Sequence, residues 1–288
     1  MILFVCDAFI EQYQGGGELT TEAIIEASYY PPNKILSQQV TVELMEKHKD
    51  SYWIFGNFSN LDKKCILYAL QNLDYSIIEY DYKFCKYRSP KKHIEIEGSC
   101  SCKDSMHGKM IAAFLAKSKI NFWMSKAQLE RYKKMYPFLS DDKNIVLSSV
   151  FNDSTLKYLS TATTDKKNNK WIILDSPSWI KGKHEAIEYA KKNDLEYELV
   201  WGLGYQQLLD KLASSKGLIF LPLGADTCPR LVIEAKLLGC EVISNENVQH
   251  MQEKWFKTKE STFKHLSTAG TRFWSKIEEI AAKNLYFR

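Results

Sequence analysis

The chain has 288 residues, with 39 lysines and arginines against 35 aspartates and glutamates, a net charge of +4, and seven cysteines. That length favours two compact domains, the near balance of charge calls for no nucleic-acid partner, and no apolar run approaches the roughly 20 residues needed to cross a bilayer. The opening MILFVCDAFI lacks the basic start and small-residue cleavage site of a secretory signal, and the odd, scattered cysteines suit reduced thiols rather than a disulfide framework, so a cytoplasmic location is expected, with nothing supporting peripheral membrane contact.

Residues 1–6 are apolar and predict a strand, followed by a loop carrying Gly15, Gly16 and Gly17 and a helix over about 19–28, opened by Thr20, Thr21 and Glu22. Residues 52–56 predict a strand, 61–70 a helix, 75–80 a strand, and the alternating HIEIE of 93–97 another short strand. A helix over 107–116, a strand over 121–124, a helix over 126–135 that Pro137 closes, and a strand over 144–148 complete the first half. The polar stretch 161–170, TATTDKKNNK, has no apolar anchor and reads as a linker. The alternation then restarts, with strands over 171–174 and 197–200 and helices over 183–191 and 205–213. The expected domains are therefore 1–160 and 161–270, with 271–288 a terminal helix whose packing the pattern does not fix.

The segment 217–243, GLIFLPLGADTCPRLVIEAKLLGCEVI, carries the most chemistry. Its apolar run 218–221 suits a strand buried on both faces, Pro222 and Gly224 end it, Asp226 and Thr227 can cap a helix with Pro229 at its first position, and Gly239 stops that helix before a strand over 240–244. The first N–H groups, from Thr227, Cys228 and Arg230, together with the helix dipole would favour an anion. Glu234 falls on a helix that is apolar nearly all round, so either an internal donor or a ligand hydroxyl must satisfy it, at a cost of several kcal/mol, roughly, if neither does. Upstream, Lys181 and Gly182 follow a strand at the start of a helix, where an ammonium could meet phosphate oxygens.

The order of strand, Lys-Gly, helix, strand ending in WGL, helix, strand, then two acids with seven residues between them resembles the retaining glycosyltransferases of GT-B fold, family 4. The resemblance covers 171–245 well and the first half more loosely. It implies an α/β protein of two Rossmann-like βα domains facing each other across a cleft, and transfer of a sugar from a nucleotide diphosphate sugar to an acceptor hydroxyl with retention, without metal or cofactor. It assigns Lys181 to the donor diphosphate, Asp226 to donor-sugar hydroxyls and Glu234 to the nucleotide ribose, with the backbone of Thr227 and Cys228 beside the diphosphate. Asp226 is one methylene shorter than the glutamate usual there, and Pro177 or Ser178 stands where the family commonly has an arginine, a charge that Arg230 could supply. Gly15 to Gly17 resemble the family's glycine-rich first loop near the donor phosphate, and His107, with His93 behind it, matches a histidine that lies near the donor sugar.

Cys100, Cys102 and His107 also invite a zinc reading, but they are three ligands with a Cys-x-Cys spacing, so no metal site is expected from them. Asp81, in EYDYK, lacks the second aspartate of an Asp-x-Asp metal motif. Two alternatives share the fold: a catalytically weak nucleotide-sugar-binding protein and a nucleotide-sugar epimerase. The acceptor, whether glycan, lipid or small molecule, is not encoded legibly.

Overall fold

The computed structural model describes residues 1–139, 141–162 and 167–286. The chain divides into two compact units, one of Met1–Asn152 with Thr268–Arg288 and the other of Asp153–Ser267. No helix among the described residues is long and apolar enough to cross a membrane.

The first unit is built on six parallel strands: β1 (Ile2–Cys6), β2 (Asn33–Leu36), β3 (Tyr52–Phe55), β4 (Asp74–Glu79), β5 (Asn121–Trp123) and β6 (Asn144–Val146), ordered β2-β1-β3-β4-β5-β6. Their apolar runs follow from burial on both faces; all four residues of β3 are buried. Phe55 of β3 meets Tyr75 at 5.7 Å and Phe114 at 5.1 Å, both edge-on. Phe114 belongs to the helix Met106–Lys117, which Ser105 caps by accepting from the Gly108 N–H. Burying each such ring contributes about 1.5–3 kcal/mol.

The helix Ala269–Tyr286 packs into this same unit. Its Phe273 ring lies 4.4 Å from Phe122 of β5, and Trp274 Nε1 donates to the Ile24 carbonyl at 2.7 Å. Residues 93–97 are helical rather than extended, within a helix Pro90–Glu97. The local signals outweigh the alternation: Ser89 accepts from the Lys92 N–H, Pro90 opens the first turn and Gly98, at φ +79°, ends it. The glycines of the first loop lie closer to their helix than expected, since it runs Gly16–Glu26 with Gly15 as its N-cap.

The second unit has four parallel strands, β7 (Trp171–Leu174), β8 (Tyr197–Val200), β9 (Gly217–Phe220) and β10 (Glu241–Ser244), ordered β10-β9-β7-β8. Trp171 packs with Ile173, Ala186, Ala190 and Ile219. Gly217 is required beneath that indole, because a Cβ there would stand 2.4 Å from the Trp171 ring. The connection from β7 leads outward to β8, and the next returns to β9 on the other side of β7. The carboxyl ends of β7 and β9 therefore flank the point where the winding reverses, the place at which doubly wound sheets take their ligands.

The stretch expected as a linker lies partly outside the described residues, at 163–166. The crossing comes earlier, since the helix Asp153–Thr161 buries Leu156 and Leu159 and belongs to the second unit. The stretch does have a polar anchor: the Lys167 ammonium donates to the carbonyls of Ala213, Ser215 and Leu238 at 3.2, 3.1 and 3.0 Å. Ala213 and Leu238 stand at helix C-termini, where a cation meets the negative end of the dipole.

Candidate functional site

Lys181 ends a short 3-10 turn, Trp179–Lys181, just beyond β7. Two backbone contacts press this turn onto the chain leaving β9. Leu223 N–H donates to Ile180 O at 3.1 Å, and Gly182, at φ +65°, leaves room for the Leu221 carbonyl, from which a Cβ would be only 1.7 Å away. The result is an ion pair between residues 45 apart in sequence, Lys181 Nζ to Asp226 Oδ2 at 2.7 Å. The ammonium also lies 5.6 Å from the Phe220 ring centroid. Lys181 keeps 30% of its side chain exposed against 13% for Asp226, so the lysine is the more accessible partner of the pair. Gly182→Ala is expected to cost about 1–3 kcal/mol through the clash and the positive φ. Equal urea midpoints for variant and parent would show that the turn does not need this close approach.

Asp226 is held by its backbone as well. Its N–H donates to Asn247 O at 2.8 Å and its carbonyl accepts from Gln249 N–H at 3.0 Å, forming a single parallel bridge with Val248. The amides of Asn245 and Asn247 both donate to the Pro222 carbonyl, at 3.0 and 2.7 Å. The segment after β10 thus clamps the loop after β9. The following helix is Arg230–Leu237, with Pro229 as the N-cap rather than the first helical residue and no side-chain cap. Asp226 does not serve as a cap, since it stands three residues before the N-cap Pro229, and its carboxylate pairs with Lys181 instead. Thr227 and Cys228, expected beside the helix start, are buried there.

Glu234 is 2% exposed and has internal partners. Tyr205 O–H donates to its Oε1 at 2.7 Å, Arg230 Nε donates to the same oxygen at 3.3 Å, and Arg230 Nη2 donates to the Tyr205 oxygen at 2.9 Å. Burial pushes the Glu234 carboxyl up, opposed by Arg230 and the Tyr205 hydroxyl. Of the two sources of a partner open in the sequence, the structure supplies the internal one. Arg230 follows from the i,i+4 spacing. Tyr205, the first residue of the helix Tyr205–Ser214, is brought in only by the sheet's winding.

His250 follows this clamp, fully buried, with neither ring nitrogen hydrogen-bonded. Burial, aided by Lys236, pushes its pKa down to about 3. The unfolded chain takes up this proton below about pH 6.5 while the folded unit refuses it, so stability is full above that pH and is lost as pH falls toward 3. Between pH 7 and 5 this group is expected to cost about 2 kcal/mol. Urea unfolding of His250→Phe at both pH values should show a correspondingly flatter dependence, and an unchanged slope would contradict the assignment.

The other predicted residues lie in the first unit. Gly15, Gly16 and Gly17 have no positive φ; the need at Gly15 is space, because a Cβ would stand 2.5 Å from both Glu18 Oε2 and Tyr13 Cε1. His107 sits in the first turn of Met106–Lys117 and donates from Nε2 to the Lys83 carbonyl at 2.8 Å. It lines a pocket of about 260 Å³ shared with Lys63, Lys83, Lys86, Arg88 and Met110. Asp81 forms ion pairs with Arg88 and, at 4.0 Å, with Lys83. Cys100 and Cys102 gather not with His107 but with Cys85 and His93.

No protein-family model matches this sequence, and no curated protein matches it either. Solved structures do match its fold. HepE of Anabaena, in a complex with UDP and glucose, aligns over 99% of both chains at 11% identity with a TM-score of 0.54. A UDP-forming α,α-trehalose-phosphate synthase from Burkholderia xenovorans covers 83% of this chain and 77% of its own at 10% identity, TM-score 0.54. A UDP-GlcNAc 2-epimerase of Methanocaldococcus jannaschii, bound to UDP-GlcNAc and UDP, covers 96% and 99% at 12% identity, TM-score 0.54. With two parallel sheets, each flanked by helices and each wound in the Rossmann-like manner, the chain has the GT-B fold.

Proposed function

We propose that the protein is a glycosyltransferase that moves a hexose from a nucleotide diphosphate sugar to an acceptor hydroxyl, with retention at the anomeric carbon and no metal at the donor. The observation that carries the reading is the Lys181–Asp226 pair at the winding reversal of the second sheet. A cation and a carboxylate there match the two ends of a donor, the diphosphate and the sugar hydroxyls. As the bond from the anomeric carbon to the diphosphate oxygen breaks, the electron pair leaves with the diphosphate, where Lys181 and the start of the helix Arg230–Leu237 stabilise it. The acceptor oxygen bonds to the same face of that carbon, and its proton passes to the departing phosphate. Asp226 holds the sugar. Glu234 reaches the ribose in this reading from its place in the Arg230–Tyr205 cluster, and Thr227 and Cys228 flank the diphosphate. Gly15 to Gly17 and His107 serve the donor from the first unit. The protein is taken as cytoplasmic, with a glycan, lipid or small molecule as acceptor and no nucleic-acid partner.

Support also comes from the company of the fold, since the Anabaena and Burkholderia proteins are described with UDP as ligand or product. The similarity to an epimerase keeps a second reading in play, interconversion of the donor sugar without an acceptor. A thermal-shift screen of nucleotide sugars comes first: a ligand at 100 times its dissociation constant stabilises the fold by about 2.7 kcal/mol. The donor found is then incubated with candidate acceptors, and nucleoside diphosphate release and product configuration are followed by NMR. Binding with neither transfer nor hydrolysis would leave a binding protein, and a changed donor sugar in the absence of acceptor would make it an epimerase.

A further inference from the structure

We infer that Cys85, His93, Cys100 and Cys102 form a zinc-binding site in the first unit. Their ligand atoms, three Sγ and one imidazole nitrogen, all lie within 4.8 Å of one another. His93 Nδ1 is 3.6 Å from Cys85 Sγ and 3.2 Å from Cys102 Sγ, and Cys100 Sγ is 3.9 Å from Cys85 Sγ. A tetrahedron with Zn–S of about 2.3 Å and Zn–N of about 2.0 Å has S···S edges of about 3.8 Å and S···N edges of about 3.5 Å. Three of the six observed edges fall within a few tenths of an ångström of those values, and the other three are no longer than 4.8 Å. Three thiolates and one imidazole are a soft, closed donor set that selects zinc and leaves no position for a substrate, so the site is structural.

The surroundings are built for such a centre. His93 turns its other nitrogen, Nε2, to Glu97 Oε2 at 2.9 Å, the carboxylate contact that fixes the ring's tautomer and orientation in zinc sites. The ring sits on the buried face of Pro90–Glu97, and Glu97 one turn on is anchored in its turn by Lys86 at 2.6 Å and Tyr87 at 2.8 Å. Cys85, His93 and Cys102 are buried, and Cys100 is partly so. Cys102 is pressed against the helix Met106–Lys117 at Gly108, where a Cβ would be 2.0 Å from its carbonyl oxygen. All seven cysteines are thiols, so the three Sγ atoms are available as ligands.

The sequence supplies these ligands as Cys-x7-His-x6-Cys-x-Cys, a spacing in which the Cys-x-Cys pair alone lies close together. That is why the sequence shows only three ligands, with the wrong histidine. The ion would tie the helix Pro90–Glu97, in which only His93 is buried, to the turn after β4 and to the start of Met106–Lys117, both of which are anchored in the core by side chains such as Phe84 and Phe114. Cys85 also lines the pocket that His107 shares with four cationic side chains, so the ion would set one wall of it.

The inference concerns the first unit alone and does not rest on the transferase reading, since its test reads metal rather than turnover. The full chain, purified without added metal, is subjected to elemental analysis, with about one zinc per chain expected. His93→Ala and Cys102→Ser are expected to lose it, while Cys65→Ala, which alters a buried cysteine outside the cluster, retains it. Should the ligand variants fail to fold, the parent protein exchanged with cobalt(II) reads the same site, through thiolate-to-cobalt charge transfer in the near ultraviolet and the visible bands of tetrahedral cobalt. Absence of stoichiometric metal together with absence of those bands overturns the proposal. So does iron in place of zinc, or a disulfide among Cys85, Cys100 and Cys102 in intact-mass analysis.

Discussion

Replacing Glu234 with leucine is expected to destabilise the second unit by about 3–5 kcal/mol, the usual cost of breaking a buried ion pair from one side. The substitution strips the Arg230 guanidinium, 5% exposed, of its carboxylate and takes from Tyr205 the oxygen to which its hydroxyl donates. Glu234→Gln should cost less, because an amide oxygen can still accept from Tyr205 while the charge is lost. The double variant Glu234→Leu/Arg230→Met should recover much of the loss, since a matched apolar pair needs no neutralisation. Urea unfolding of the parent, of the single variants Glu234→Leu and Arg230→Met, and of the double variant supplies the coupling energy. A loss below about 1 kcal/mol in Glu234→Leu would mean that the cluster is not what secures this helix. Nucleotide-sugar affinity of Glu234→Gln then reports the ribose contact separately, because that variant keeps most of its stability.

Lys181→Ala is expected to lower the rate of transfer by about 100- to 1000-fold, the scale seen when one donor to a developing negative charge is removed. It should also weaken binding of a nucleoside diphosphate, while leaving affinity for the nucleoside alone unchanged. Lys183→Ala is the control. That lysine lies two residues on and pairs with Asp175 at 2.8 Å, so it carries similar charge without touching Asp226. Equal losses in both variants would reduce the effect to general electrostatics and remove Lys181 from the diphosphate.

The second unit is the more legible half. Its strand Gly217–Phe220 is a short apolar run ended by Pro222 and Gly224, the helix after it is stopped by Gly239, and each such stop has a local backbone cause that a single sequence displays. The meeting of Lys181 with Asp226 is not legible as a contact, because it depends on β9 returning beside β7 rather than beside β8. The clamp by Asn245 and Asn247 is hidden for the same reason. Arg230 and Glu234 are four apart on one helix, so their pairing is visible in the spacing alone, although the same arginine also suits a diphosphate. In the first unit, HIEIE shows how a two-residue alternation misleads when both helix boundaries are marked by Ser89, Pro90 and Gly98. Strand β2 escapes a reading from sequence because its residues are only partly covered, giving a weak apolar signal at a sheet edge.

The hydrogen bond from Trp274 to the Ile24 carbonyl joins residues 250 apart. A ribosome working from the first residue delivers every residue of the second unit before it delivers that tryptophan. The first unit therefore waits, with the surface around Phe122 and Ile24 lacking its covering helix, while the unit interrupting it in sequence is already fully made. The helix that covers the first sheet is thus made only after the whole of the second unit.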